Sequence, residues 1–183
     1  MKILQDLNLK ELEDLFLSLG EKPFRAKQVF FALSNGLKIS EISNISKFLR
    51  EKLIGIYADN PAEIIRRLVS EDGTEKYLIR LIDGNVVEGV YMKNDYGNTE
   101  CLSTQVGCRM GCRFCASGIG GLVRNLTAGE MLATVAAVNR LGGGDTKKRA
   151  VTNVVLMGSG EPLDNYDNVV KFIRLLSDEN SLN

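Results

Sequence analysis

All four cysteines of this 183-residue chain fall between Cys101 and Cys115, and the chain has no histidine. Three of them, Cys108, Cys112 and Cys115, are spaced C-x3-C-x2-C, so one short loop can bring several thiolates to a point. Any soft-metal site here must therefore be built from sulfur. Three chemistries fit the pattern. Three thiolates can hold three irons of a four-iron cluster and leave the fourth iron open to a substrate or cofactor. Alternatively, Cys101 joins the other three in an all-cysteine structural zinc site. The third reading is thiol–disulfide exchange through Cys112-x-x-Cys115, although such motifs do not usually carry a further cysteine four residues upstream.

The elements that must position this stretch fall into three segments. Residues 1–60 read as a small helical bundle. Its first helix covers residues 8–19, with Asn8 and Glu11 at capping-box spacing, a stripe of Leu9, Leu12, Leu15, Phe16 and Leu19, and Gly20 as its stop. A second helix follows Pro23 with Phe24, Val29, Phe30 and Leu33 as apolar positions. A third, between Ser43 and Leu53, carries Ile45, Phe48, Leu49 and Leu53. Residues 61–95 change period: Ala62–Ser70, Glu75–Ile82 and Val86–Met92 are extended, and Asp72-Gly73 and Asp83-Gly84 mark hairpin turns, which predicts an antiparallel meander. A polar joint at Asp95–Asn98 is a candidate boundary. Residues 96–183 alternate. A strand over Cys101–Gln105 leads into the cysteine loop, Thr127 and Glu130 cap a helix over Ala128–Leu141, a buried parallel strand spans Val151–Met157, and an amphipathic helix covers Asn165–Ser177. The fold class is thus α/β: helices, a meander, then the first units of a β/α series.

Composition narrows the rest. Apolar residues make up 44% and charged residues 25%, ordinary for a water-soluble globular protein. Basic and acidic residues are equal in number at 23 each, which argues against a strongly electrostatic nucleic-acid binder while leaving room for a local basic face. Lys147-Lys148-Arg149, and separately Lys22, Arg25 and Lys27, are candidate phosphate contacts whose default reading is solvated charge. Gly118-Ile-Gly120-Gly121 lacks the lysine and hydroxyl of a phosphate-binding loop and reads as a flexible turn. The N-terminus shows no apolar secretory core and no run reaches membrane-spanning length, so a cytoplasmic location is expected.

With these blocks in view, the sequence resembles the radical S-adenosylmethionine superfamily. The resemblance rests on Cys108-x3-Cys112-x-Phe114-Cys115, with its aromatic residue before the last cysteine, and on Gly158-Ser-Gly-Glu161-Pro162 after the next strand. More narrowly, Phe24-Arg-Ala-Lys-Gln28, Gln105-Val-Gly-Cys108, Arg124-Asn-Leu-Thr127 and Asn153 to Pro162 are similar to the dual-specificity RNA methyltransferases that modify C2 of adenosine.

The resemblance implies a set of roles. Cys108, Cys112 and Cys115 would ligate a 4Fe-4S cluster whose open iron chelates S-adenosylmethionine. Phe114 would pack near the adenosyl group, and Gly160 with Glu161 would receive the methionyl amino group. Cys101 corresponds to a family cysteine that is not a ligand and resolves a covalent link between RNA and a methylated cysteine. Glu88 corresponds to the family's proton acceptor, although a Glu alternating with Val87 in a strand is commonly a solvent-facing residue. The implied partners are rRNA and tRNA, with the N-terminal helices engaging RNA, and an electron-donor protein of unknown identity. A related family modifies C8 of adenosine with the same blocks. The implied fold is a radical SAM β/α barrel, here incomplete: a closed eight-unit barrel takes about 250 residues, and only about 85 follow the joint. A fragment is the expected reading. It lacks the C-terminal half that carries the methyl-receiving cysteine and leaves the edge of the 151–157 strand open to self-association.

Overall fold

Local sequence chemistry sets the helix ends in this computed structural model, which describes residues 1–182. Helix α1 (Leu9–Ser18) starts at a closed capping box. Asn8 Oδ1 accepts from the Glu11 N–H at 2.9 Å, and Glu11 Oε2 accepts from the Asn8 N–H at 2.8 Å. An Asn8→Ala substitution is expected to cost about 1 kcal/mol of stability, read as a shift in the urea midpoint. Helices α2 (Phe24–Ser34) and α3 (Lys47–Ile54) complete the bundle. Val29, Phe30, Leu33, Leu49 and Leu53 are buried, as the apolar stripes predict. Phe24 and Phe48 are not: they are 53% and 73% exposed, because each lies on the face of its helix turned away from the buried residues of the same turn, Ala26 and Leu49.

The meander forms as expected, with β1 (Ala62–Val69), β2 (Glu75–Leu81) and β3 (Val86–Met92) paired antiparallel. The joint at residues 95–98 does not interrupt the sheet. Strand β4 (Thr99–Cys101) pairs antiparallel with β3, placing Cys101 opposite Val90, and pairs parallel with β7 (Asn153–Val155) on its other side. The five-stranded order is β1-β2-β3-β4-β7. One face of this sheet, carrying Tyr77, Ile79, Val87, Tyr91 and Glu100, is buried. The other carries Lys76, Leu78, Glu88, Val90 and Cys101 toward solvent.

Two strand expectations need correction. The predicted strand over Cys101–Gln105 is two strands. β4 ends at Cys101, and β5 (Gln105–Gly107) leaves the sheet to pair with β6 (Leu122–Asn125) as a separate antiparallel ribbon. Leu102 to Gln105 turn away because their backbone bonds go to the end of β7 and the segment after it: Leu102 N–H to Val155 O, Gly158 N–H to Leu102 O, and the N–H groups of Thr104 and Gln105 to Ser159 O. The predicted buried strand Val151–Met157 is regular only over Asn153–Val155 and is partly exposed, because it lies at the edge of the sheet.

Helices α4 (Ala128–Leu141) and α5 (Tyr166–Leu176) pack against each other, and α4 reaches both the N-terminal helices and β1. A single apolar core runs from Leu4 through Phe16, Val29 and Ile79 to Met131 and Phe172, across the divisions expected at residues 60 and 95. Polar contacts bind the same parts: Asp6 accepts from the Gly129 N–H at 2.7 Å, and Arg140 bonds to Gly36 O and Glu41.

Candidate active site: the cysteine loop and the Gly-Glu segment

The β5–β6 ribbon is the mount for the cysteine loop. Cys108 directly follows β5 and is buried. Its N–H bonds to Gly121 O at 3.1 Å, closing the loop at its base. That closure demands glycine at position 107, where φ is +73° and a Cβ would stand 2.0 Å from Gly121 O. Within the loop, the Cys115 N–H bonds to Cys112 O, and the Gly118, Ile119 and Gly121 N–H groups bond to carbonyls three residues earlier. The tip is a set of tight turns with its side chains outward. Cys112 and Cys115 are exposed, and Phe114 is 95% exposed.

The structure gathers the three thiols onto one loop but not onto one point. Among the described residues, no three Cys, Asp or Glu side chains stand close enough together to hold a metal ion. The donor chemistry nonetheless fits a thiophilic centre. The loop offers sulfur only, two of its thiols are unobstructed, and bonds from the side chain and backbone of Ser117 hold the Cys115 thiol below the usual thiol range. Cys101 is set apart from this loop at the end of β4.

The segment after β7 lies alongside. Gly160 has φ +102°, and a Cβ there would sit 2.5 Å from Gln105 Cβ, so only glycine permits the close approach. Glu161 is half-buried and turns its carboxylate back to accept from the Leu163 N–H at 3.0 Å, capping the short turn Pro162–Asn165. Ser103 fastens the segment to the sheet: its hydroxyl donates to Glu88 O at 2.6 Å and accepts from the Ser159 N–H at 2.9 Å. Ser117 Oγ and Ser159 Oγ are 3.4 Å apart, which places the cysteine loop directly against the Gly-Glu segment. Both lie beyond the C-terminal ends of the parallel pair β4 and β7, the end at which β/α folds collect reacting groups.

Glu88 and Cys101 share the open face of the sheet. Cys101 sits opposite Val90, one side-chain step along β3 from Glu88. Glu88 pairs with Lys76 at 2.8 Å and is half-exposed, so it is a solvated ion pair in this state. Cys101 is partly buried, and that burial pushes its thiol up. It therefore stays protonated at neutral pH and needs a base to become a nucleophile.

Two residues to which the motifs assign no role, Gln105 and Asn165, join these pieces. Gln105 is fully buried and bonds to Asn125, Asp164 and the Glu161 N–H. Asn165 donates to Thr104 O and Leu126 O. A polar side chain in a short strand beside the cysteines was the available signal for Gln105; nothing in the sequence paired it with Asp164. The candidate phosphate contacts are mixed in fate: Arg25 pairs with Glu21 and Arg149 donates to Leu182 O, while Lys22, Lys27, Lys147 and Lys148 stand exposed.

Residues 3–58 match the family described as the ribosomal RNA large subunit methyltransferase N-terminal domain. The chain is 48% identical over 182 residues to a probable dual-specificity RNA methyltransferase RlmN from Alkaliphilus oremlandii, covering 98% of this chain and 52% of that protein. A protein of the same description from Lachnoclostridium phytofermentans is 52% identical over 180 residues, covering 97% and 49%. The crystal structure of a radical SAM methyltransferase from Sphaerobacter thermophilus superposes with a TM-score of 0.91 at 38% identity, over all of this chain and 54% of that one. The chain spans about half the length of the curated relatives it matches.

Proposed function

The chain belongs to the RlmN-like family of radical SAM methyltransferases and corresponds to the N-terminal half of its members, and on that premise we propose that it carries the cofactor-holding part of an RNA methyltransferase. The reaction is methylation of C2 of adenosine in large-subunit rRNA and tRNA. The observation that carries this reading is the contact between two loops from successive β/α units, the cysteine loop and Gly158–Pro162, joined at Ser117 and Ser159.

Cys108, Cys112 and Cys115 hold a 4Fe-4S cluster. Cys108, buried at the base of the loop, and Cys112 and Cys115, exposed at its tip, would supply the three thiolates. When bound, the cluster and S-adenosylmethionine supply the radical chemistry, after an electron from a donor protein. Gly160 would leave room for the methionyl ammonium, and the Glu161 carboxylate, which now accepts from the Leu163 N–H, would be its charge-assisted partner. Phe114, exposed here, would pack near the adenosyl group. Cys101 acts as the second thiol of the reaction and Glu88 as a proton acceptor on the same face, once released from Lys76. The cysteine that receives the methyl group belongs to the portion of the relatives' length that this chain does not span. Residues 1–60 engage the RNA.

Anaerobic reconstitution with iron and sulfide tests the reading. The chain is expected to bind iron and acid-labile sulfide in equal amounts, about four of each, and Cys108→Ser, Cys112→Ser and Cys115→Ser each to abolish it while Cys101→Ser does not. Stoichiometric zinc without sulfide, lost on Cys101→Ser, would replace it with the all-cysteine structural site. For RNA, the whole protein should transfer labelled methyl to C2 of adenosine; label at C8 only would reassign the regiochemistry.

A further inference from the structure

The cysteine loop and the Gly-Glu segment touch through one weak hydroxyl contact, yet a second, stronger junction lies beneath it. Gln105, completely buried in β5, donates from Nε2 to Asn125 Oδ1 at 2.8 Å and to Asp164 Oδ2 at 2.9 Å, and its Oε1 accepts from the Glu161 N–H at 2.9 Å. The other oxygen of Asp164 accepts from Arg109 Nε at 3.1 Å and Nη2 at 2.5 Å. Arg109 is the residue after Cys108. The chain of bonds therefore runs from the cysteine loop, through Arg109, Asp164 and Gln105, to the backbone of Glu161.

Chemistry restricts what can stand at its centre. Gln105 must donate to a carboxylate and accept from a backbone N–H at once, which a primary amide does and a carboxylate does not. Arg109 and Gln105 together hold the Asp164 carboxyl below the usual carboxylate range, so the junction is charged at neutral pH. The Arg109–Asp164 pair is largely exposed on its Arg109 side, and such a pair contributes little to global stability. Its consequence is positional: the loop cannot shift relative to Glu161 without breaking a bond in the chain.

We propose that Gln105 and Asp164, acting through Arg109, are positioning residues that couple the cysteine loop to the Gly160–Glu161 segment, so that loading the loop orders the segment that receives the cofactor's amino group. The inference rests on the preceding assignment for the identity of what is loaded, but not for the latch itself.

Hydrogen exchange on the full chain, metal-free and after anaerobic iron–sulfide loading, tests it. In the metal-free chain, Asp164→Asn and Arg109→Gln are each expected to speed exchange across residues 109–118 by about fivefold. The combined variant should do no more than either, and Arg109→Lys should retain most of the wild-type protection. Slow-exchanging amides of the core strands should not change. Loading the wild-type chain should slow exchange across residues 159–165, and Asp164→Asn should lose that response while binding the same iron. Unchanged exchange at 109–118 in both single variants would overturn the latch, as would a uniform rise across the core, which would mark the pair as a general stabiliser. If the wild-type chain takes up no iron, the cluster assignment fails, and the metal-free measurements still decide the latch.

Discussion

Replacing Arg124 with methionine is expected to destabilise the protein by about 3 kcal/mol, since it strands a buried carboxylate. Arg124 lies on β6 and faces Glu130, whose side chain is 1% exposed. Their two bonds are parallel, Nη1 to Oε2 and Nη2 to Oε1, each 2.8 Å. The same guanidinium reaches Asp83 at the β2–β3 turn through Nε at 2.5 Å and donates to Asn125 O at 3.0 Å. Glu130 also accepts from the Thr127 N–H to close the capping box of α4. One side chain thus ties the ribbon that mounts the cysteine loop to the hairpin and to α4. The guanidinium is pushed upward by Glu130 first and Asp83 after it, so it stays charged at any working pH. With Arg124→Met, Glu130 keeps only a backbone donor in a place water scarcely reaches. A urea titration at pH 7 reads the loss. Adding Glu130→Gln to Arg124→Met removes the stranded charge and should recover most of it. A single variant within 1 kcal/mol of wild type would show that Glu130 is already solvated.

The second large effect has the opposite sign: Glu100→Leu should stabilise the protein at neutral pH. Glu100 is fully buried on the core face of β4, and among the described residues neither carboxyl oxygen has a hydrogen-bond partner. It pairs across to Tyr91 and Val154, with Gly89 and Ile79 beside it and Tyr77 as a nearby titratable group. Desolvation pushes its carboxyl up to about 8 from an ordinary value of 4.5. The folded state therefore holds a proton there that the unfolded chain releases. Stability from this group is complete below pH 4.5 and is lost as pH rises toward 8, at about 1.4 kcal/mol per pH unit. Leucine removes both the titration and the unpaired oxygens. At pH 7 the gain is expected at about 3 kcal/mol, shrinking toward pH 5. Asp6, also raised by burial, adds a slope of the same sign, but the difference between variant and wild type isolates Glu100. If the two chains show the same dependence of urea midpoint on pH from 5 to 8, the carboxyl is not buried in solution.

Both effects concern residues that carry no signature. Arg124 lies within a block that resembles its family, yet only the folded chain places Asp83 and Glu130 against it, from 41 residues before and 6 residues after. Glu100 sits in Thr-Glu-Cys, where a short strand offers too few positions for alternation to say which face is inward.

What could be read from the sequence was local. The Asn8 and Thr127 capping boxes, the hairpin turns at Gly73 and Gly84, the stripes on α1 and α5, and the C-x3-C-x2-C spacing each depend on residues a few positions apart. Short-range geometry determines such features, so their outcome does not depend on the rest of the chain. Only tertiary structure decided that the strand at Cys101 breaks, that the cysteine loop rides on a ribbon outside the sheet, and that Cys101 and Glu88 share the open face. Those outcomes turn on which backbone groups satisfy one another across long separations. The 155–159 segment takes the bonds of Leu102 to Gln105, and Gln105 meets Asp164 from 59 residues away. No window along the chain holds both partners, and the site exists only where they meet.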